Sequence, residues 1–139
     1  MSYIEAVARS ISSYYNNITL KKDVIIVEKS TVPILTHRML QEIIVSNQSI
    51  PDNRDRFVVV SNPEFLAEGT TIENLSNPDR LVFGCERPDV VQLLLTLHHY
   101  IPAERIITAS TISSEMSKLV ANCFLAQRVS SINSISLLC

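Results

Sequence analysis

The spacing of hydrophobic residues alternates along the chain between a helical and a strand-like pattern. Apolar positions recur every three or four residues over 3–15, which predicts an amphipathic helix. Short apolar runs rich in β-branched residues are typical of strands buried on both faces, and four such runs lie at 23–28, 57–60, 80–84 and 105–109. Because helical segments separate these runs, the sequence predicts an α/β fold with a parallel sheet covered on both faces.

Further helices are predicted between and after the strands. Thr31 is a suitable N-cap for a helix that continues to about residue 45. The polar stretch 46–56 is typical of a loop, and a brief helical turn follows the second strand at about 70–75. Pro88 suits the first position of another helix. A long helix then begins at Thr111 or in the N-cap region around Ser113 and continues to the end of the sequence.

The stretch 61–70, S-N-P-E-F-L-A-E-G-T, carries signals for a short capped helical turn directly after the second strand. Asn62 is a good N-cap, and Gly69 suits the residue just past a helix end. On such a turn Glu64 and Glu68 share a face, at the strand end where open α/β sheets bind ligands. A helix dipole that favours Glu64 and solvation of Glu68 explain the same pair without any function, and this stretch taken alone favours that interpretation.

A second pair of polar residues, Lys118 and Asn122, lies four apart on one face of the predicted last helix, with Ser114 one turn earlier. An ammonium and an amide aimed together suit an oxygen that develops negative charge. Nearby carboxylates at 64 and 68 would keep the lysine protonated. Solvated polar residues on an exposed helix face are the alternative interpretation, and the spacing alone favours it.

Composition narrows the classes of protein and of partner. The 139 residues are 46% hydrophobic and 19% charged with a net charge of −2, which is typical of a soluble globular domain. The lack of a Lys/Arg-rich run argues against a nucleic-acid partner. No apolar run reaches the ~18 residues of a membrane span and no signal-peptide pattern opens the sequence, so a cytoplasmic location is expected. Three widely spaced cysteines predict neither a metal site nor a disulfide framework.

The chain contains two glycines, Gly69 and Gly84. A self-contained dinucleotide-binding domain needs a glycine-rich turn where the backbone approaches the pyrophosphate, and two distant glycines cannot supply G-x-G-x-x-G. The first helix begins without a capping signal, and the last one ends on apolar residues without one. The glycines leave two alternatives: the chain binds no dinucleotide by that device, or it is a piece of something longer. The missing helix caps lead us to expect that both ends are cut.

Three blocks of the sequence are long enough to be specific: S-N-P-E-F-L-A-E-G-T at 61–70, N-P-D-R at 77–80, and S-S-E-M-S-K-L-V-A-N-C-F-L-A-Q-R-V-S-S-I-N-S-I-S at 113–136. Together with E-K-S-T-V-P at 28–33 they resemble the UDP-glucose/GDP-mannose dehydrogenase family. The similarity covers nearly the whole chain, and its fullness favours the members that oxidise UDP-glucose. It implies the second half of a Rossmann-like NAD-binding domain with a parallel sheet over residues 1–110. The start of a long central, dimerising helix would then occupy residues 111–139.

The resemblance implies an oxidation of UDP-glucose to UDP-glucuronate that uses two NAD⁺ and no metal. A cysteine thiolate captures the aldehyde from the first oxidation, and water hydrolyses the thioester from the second. Glu64 matches the acid/base of the hydrolytic half, Lys118 the catalytic lysine, and Asn122 its partner in holding a sugar oxygen or a water. The residues implied in binding are Glu64, Phe65, Leu66, Ala67, Glu68, Lys118 and Asn122 for the substrate, and Ser30, Thr31 and Glu68 for NAD.

The sequence departs from the family pattern at sites that matter for activity. The glycine-rich NAD fingerprint would lie before Met1, and the nucleophilic cysteine would lie beyond Cys139, which stands in an apolar helix pattern unsuited to that role. Cys85 stands where a glycine is common. We therefore expect the isolated chain to be inactive, and the complete enzyme to bind UDP-glucose and NAD as a homo-oligomer formed through the last helix. The alternative is a non-catalytic product that associates with full-length subunits.

Overall fold

The computed structural model describes residues 2–67 and 69–138, and it contains the helices and strands in the predicted order. The helices are α1 (Ser2–Tyr15), α2 (Thr36–Ser46), α3 (Thr71–Ser76), α4 (Pro88–Leu97) and α5 (Thr111–Ser136). The strands are β1 (Val24–Glu28), β2 (Phe57–Ser61), β3 (Leu81–Gly84) and β4 (Ile106–Ala109). Short 3₁₀ helices, one of them within the predicted loop, lie at Pro51–Arg56 and Ala103–Arg105.

The described strands form one sheet in the order β1-β2-β3-β4, which confirms the α/β class. β1 pairs with β2 in parallel, with Val24 opposite Phe57, and β3 pairs with β4 in parallel. β2 and β3 are antiparallel where Ser61 meets Gly84, so the expectation of a fully parallel sheet is wrong at this pair. A parallel connection needs a crossover that covers the sheet, whereas α3 is short and its side chains lie at the surface.

Both faces of the sheet are covered at β2, as the sequence predicts, and alternate residues of this strand pack into two separate cores. The cover is incomplete elsewhere, because Val27 of β1 and Ile107 of β4 are 39% and 48% exposed. One core packs α1 and α2 against the first face and consists of Ala8, Leu40, Ile44, Phe57 and Val59. The other core includes α4 on the opposite face and consists of Val58, Val60, Phe83, Val90 and Leu94. Burial on both sides explains why β2 is an uninterrupted apolar run.

Two helices begin differently from the prediction. Thr31 does not cap α2, because the helix begins at Thr36, and the preceding Leu35 adopts a left-handed conformation with φ 74°. That conformation costs a residue with a Cβ about 1–2 kcal/mol. The N-cap of α5 is Ser110, whose hydroxyl accepts a hydrogen bond from the amide of Ser113. Ser113, which was expected in the capping region, therefore lies inside the first turn.

Helix α5 has a buried start and an exposed remainder. Thr111, Ser114 and Glu115 are buried where the helix leaves the sheet. Further along, large apolar side chains are exposed, and they include Met116, Phe124, Leu125, Val129 and Ile132. Within residues 2–67 and 69–138, no helix combines the length and the apolar character needed to cross a lipid bilayer.

The start of α5 packs directly on the ends of β2 and β3. The Ser61 hydroxyl donates to Ser114 Oγ at 2.9 Å. A Cβ added to Gly84 would lie 2.4 Å from the Cβ of Ser114 and 2.9 Å from the Cα of Thr111, closer than real Cβ atoms approach. Gly84 is therefore required for space, and this close packing fixes the point at which α5 leaves the sheet.

Replacing Gly84 by alanine is expected to lower the free energy of unfolding by about 1–3 kcal/mol, because the added Cβ overlaps α5. In the Ser114→Gly background the same replacement should cost less, because the nearest overlapping atom is then missing. Equilibrium urea unfolding of the four proteins of this cycle, followed by circular dichroism, measures both costs. An equal cost in the two backgrounds would contradict the packing argument.

Candidate functional site

The last residues of the four described strands lie beside one another across the sheet. In the strand pairs, Glu28 stands opposite Ser61, Ser61 opposite Gly84, and Gly84 opposite Ala109. Because β3 runs antiparallel to β2, the segments after β1 and β2 leave the sheet in one direction, and those after β3 and β4 leave in the other. Open α/β sheets bind ligands at the carboxyl ends of parallel strands, and the predicted site residues lie on the segments after β1 and β2 or on the helix that follows β4.

The segment after β2 does not form the predicted helical turn, and residues 62–67 have no regular secondary structure. Asn62 is buried, and its polar groups bond in three directions. Its amide N–H donates to the Glu28 carbonyl at 2.8 Å, and its Nδ2 donates to the Val82 carbonyl at 2.8 Å. Its Oδ1 accepts a hydrogen bond from Lys29 Nζ at 3.0 Å. Because these bonds use the oxygen that a helix cap would need, Asn62 ties the segment to β1 and β3 instead.

Glu64 forms its ion pair with Lys29. Its Oε1 lies 3.3 Å from Lys29 Nζ, and the two side chains are 34% and 43% exposed. Among the described residues Lys118 forms no ion pair. The expected charge compensation of Lys118 by Glu64 is thus not found. Glu68, the other predicted carboxylate, lies outside the described residues.

Phe65 and Leu66 line an open cleft together with Lys118 and Asn122. The Lys118 ammonium lies 5.0 Å from the centroid of the Phe65 ring, and the guanidinium carbon of Arg80 lies 4.4 Å from it. Both cations are attracted to the electron-rich face of the ring. The remaining lining residues are Ala121, Phe124, Leu125 and Arg128. The structure therefore brings four of the predicted substrate-binding residues together from two segments distant in sequence.

The other predicted residues are not part of the lining of this cleft. Ser30 and Thr31 are exposed just beyond the end of β1, on the same turn as Lys29. Ala67 is exposed, and its carbonyl oxygen accepts a hydrogen bond from the hydroxyl of Thr71. Ser114, which spacing placed near Lys118, is buried, and its hydroxyl bonds to Ser61 instead.

Glu115, which sequence reasoning missed, joins α5 to the start of α2. The side chain is almost fully buried, with 1% exposed. Its Oε2 accepts a hydrogen bond from the Leu35 amide and its Oε1 accepts one from the His37 amide, both at 2.8 Å. The ring Nδ1 of His37 lies 3.0 Å from Oε2 but without the alignment of a hydrogen bond. Since free N–H groups and the dipole favour an anion at a helix N-terminus, Glu115 supplies the cap that α2 lacks.

Glu86 holds the start of α5 from the segment after β3. Its Oε1 accepts a hydrogen bond from the Thr111 amide at 2.9 Å, and its Oε2 accepts one from the Thr111 hydroxyl. Burial acts to raise the pKa of Glu86, but the hydrogen bonds from Thr111 outweigh it and hold the pKa below its ordinary value, with a smaller contribution from His37. Glu86 and Glu115 thus fix the start of α5 by two separate carboxylates.

Glu28 is a buried carboxyl group with one unsatisfied oxygen. Its Oε1 accepts a hydrogen bond from the Ser30 amide at 2.7 Å, whereas Oε2 has no hydrogen-bond partner among the described residues. Burial raises the pKa of Glu28 above its ordinary value, hydrogen bonds from Ser30 offset part of this, and the Glu115 carboxylate raises it further. In the described part of the chain no three His, Cys, Asp or Glu side chains are grouped to hold a metal ion.

Sequence signals for the missed residues were weak. Lys29 is a cation beside the predicted cofactor turn, but its pairing with Glu64 depends on where the segment after β2 runs. Glu115 is an acid three positions before Lys118, on the side of α5 that meets the sheet. A single acid in an apolar helix pattern does not reveal which backbone amides it will meet.

The chain matches one family model and is similar in sequence to known proteins. The family model described as UDP-glucose/GDP-mannose dehydrogenase family, NAD binding domain, matches residues 1–102. UDP-glucose 6-dehydrogenase from Caenorhabditis elegans is 46% identical over 144 aligned residues, which cover all of this chain and 29% of that protein. The enzyme of the same name from Rattus norvegicus is 49% identical over all of this chain and 28% of that protein.

Solved structures resemble the fold. A UDP-glucose dehydrogenase from the archaeon Pyrobaculum islandicum superposes with a TM-score of 0.84 at 30% identity, over 98% of this chain and 30% of that one. GDP-mannose dehydrogenase from Pseudomonas aeruginosa gives a TM-score of 0.75 at 27% identity, over 95% of this chain and 30% of that one. The chain therefore spans less than a third of the length of these relatives.

Replacing Glu115 by alanine is expected to lower the free energy of unfolding by about 2–4 kcal/mol, because the amides of Leu35 and His37 lose their acceptors in a buried place. Urea unfolding of the 139-residue chain measures this cost. Glu42→Ala is the matched control, since Glu42 is an exposed acid on α2 and its removal should change stability by less than about 0.5 kcal/mol. Equal costs for the two variants would refute the role of Glu115.

Replacing Glu28 by glutamine is expected to stabilise the chain more at pH 7 than at pH 4. A carboxyl group with a raised pKa in the folded state contributes its full stability below its unfolded pKa, and this contribution is lost as the pH rises through the folded pKa. Glutamine stays neutral at both pH values. Urea unfolding of the wild type and the variant at both pH values gives the difference between their free energies of unfolding. The pH dependence that Glu86 contributes is the same in both proteins and cancels in this difference. A difference that does not grow with pH would contradict the assignment.

Proposed function

The chain belongs to the UDP-glucose/GDP-mannose dehydrogenase family, and on that premise we propose that the protein carrying it oxidises UDP-glucose to UDP-glucuronate with NAD⁺ as the oxidant. NAD is the cofactor of the family domain that the chain matches. The observation that carries the proposal is the cleft in which Phe65 and Leu66, on the segment after β2, meet Lys118 and Asn122 of α5. These are residues that the sequence resemblance had assigned to the substrate.

In the proposed mechanism, Lys118 and Asn122 donate hydrogen bonds to an oxygen atom of the sugar or of a water. Their positions four apart on α5 present an ammonium and an amide on the same side of the helix, where both can donate to a sugar oxygen or a water. Such donors stabilise negative charge that develops on the oxygen. Phe65 contributes to this by drawing the Lys118 ammonium over its ring.

Glu64 is the proposed acid/base of the hydrolytic half. Its carboxylate is partly exposed and lies on the segment that also carries Phe65 and Leu66. A carboxylate in this position can take a proton from the attacking water, which is the task of a general base. The proposed substrate-binding run also includes Ala67 and Glu68.

The turn after β1 is suited to hold part of the cofactor. Ser30 and Thr31 present exposed hydroxyl groups just after the carboxyl end of β1, and hydroxyl groups bond well to ribose and phosphate oxygens. Glu68 is proposed as a further contact with the cofactor. When bound, NAD⁺ accepts the hydrogen and two electrons removed from C6 of the sugar in each oxidation.

The exposed apolar residues of α5 support an assembly of subunits. Phe124, Leu125, Val129 and Ile132 are each more than half exposed, and a contiguous apolar surface of this kind favours a protein partner. We propose a homo-oligomer through α5, with 1–110 as part of the NAD-binding domain, 111–139 as the start of the central helical domain, and a cytoplasmic location. A non-catalytic product that binds full-length subunits by the same helix is the second candidate function.

The protein purified at its natural length is expected to form NADH, followed at 340 nm, when given UDP-glucose and NAD⁺. Lys118→Ala should lower kcat by about 10²–10³-fold, because one donor to a developing oxyanion is lost. Lys21→Ala is the matched control, since Lys21 is an exposed lysine in the turn before β1. A wild-type protein without activity, or equal rates for the two variants, would refute the proposal.

The 139-residue chain tested alone should form no NADH. Its two glycines do not supply the glycine-rich turn that the pyrophosphate of NAD needs. Turnover by the purified chain would contradict this expectation. Co-purification of the chain with full-length subunits, abolished by Leu125→Glu, would favour the second candidate function.

A further inference from the structure

We propose that Lys29 is a positioning residue that holds the Glu64 carboxylate beside the cofactor turn. This inference rests on the proposed function, because it assigns a task to a residue of the same site. Lys29 immediately precedes Ser30 and Thr31, so that it belongs to the turn proposed to contact NAD. Its ammonium nevertheless extends to the segment after β2, where Glu64 lies.

The Lys29 ammonium is itself held in place by a buried group. It donates to Asn62 Oδ1 at 3.0 Å, and the same nitrogen lies 3.3 Å from Glu64 Oε1. Asn62 is 2% exposed, and its Nδ2 donates to the carbonyl of Val82 in β3. The ammonium therefore has a fixed anchor on one side and the carboxylate of Glu64 on the other.

This anchor distinguishes the Lys29–Glu64 pair from an ordinary surface ion pair. A surface pair between two mobile side chains contributes little, because both must be ordered to form it. Here the amide of Asn62 has already restricted the lysine, and the amide is restricted by its bonds to β1 and β3. The restriction passes to Glu64, which has a partly exposed side chain on a segment without regular secondary structure.

The proposed effect of Lys29 is on the position of the Glu64 carboxylate more than on its charge. Residues 62–67 give Glu64 no helical or strand framework, so contacts of its side chain must fix where the carboxylate points. Misplacement of a catalytic group by about 1 Å can cost on the order of 10²-fold in rate. Lys29 would thereby couple the turn that holds the cofactor to the carboxylate that acts in the hydrolytic half.

The test is a double-mutant cycle between Lys29 and Glu64 in the protein at its natural length. Lys29→Met should lower kcat about 10- to 100-fold and change the KM for UDP-glucose less than about threefold. In the Glu64→Gln background the same replacement should have almost no further effect, because its target is already inactivated. Pre-steady-state NADH formation adds a second measurement, since slow hydrolysis leaves a burst followed by slow turnover.

A conservative substitution of Lys29 and a control substitution of another exposed lysine complete the experiment. Lys29→Arg should recover most of the activity, because a guanidinium can also donate to both Asn62 and Glu64. Lys22→Met, an exposed lysine in the turn before β1, should behave as the wild type. Lys29 is 43% exposed, so we expect its variants to fold, and far-UV circular dichroism verifies this.

The outcomes separate the inference from the proposed function. A wild-type protein that forms no NADH overturns the proposed function and the task of Lys29 with it. An active wild type in which Lys29→Met slows turnover equally in both Glu64 backgrounds overturns the inference alone. Failure of Lys29→Arg to recover any activity, with the fold intact, also counts against it.

Discussion

The buried carboxylate of Glu115 is the contact on which the geometry of the site depends most. Taking an ionised carboxylate out of water is costly unless hydrogen bonds replace its hydration. Glu115 meets that requirement with two amides at the start of α2. Those amides lie just beyond the turn that carries Ser30 and Thr31, and Glu115 lies one helical turn before Lys118. One side chain therefore fixes the proposed cofactor turn relative to the proposed catalytic helix.

The ends of the strands impose a second constraint of the same kind. Gly84 leaves no room for a side chain where α5 crosses the junction of β2 and β3, and Ser61 bonds to Ser114 at that point. Asn62, the next residue after β2, ties three segments together. The small and polar residues at these strand ends are thus explained by close packing and by satisfied hydrogen bonds as well as by the proposed ligand binding.

The order of helices and strands could be predicted from the sequence because periodicity depends on which faces are buried, and β2 shows this most clearly with both faces covered. The capped turn at 61–70 was predicted wrongly for a physical reason. Asn62 has the local chemistry of an N-cap, but its amide found partners in β1, β3 and Lys29 instead. Local capping signals cannot exclude a distant partner that satisfies the same groups.

The sequence by itself determined the α/β class, the two-sided core and the residue types of the candidate site, since these follow from the spacing of side chains and from long matching blocks. Only the tertiary structure decided the antiparallel join of β2 to β3, the cleft shared by Phe65 and Lys118, and the pairing of Glu64 with Lys29. Each of these depends on the path of the chain after β2, where residues 62–67 have no regular secondary structure. That path is set by hydrogen bonds between residues distant in sequence, which no local pattern encodes.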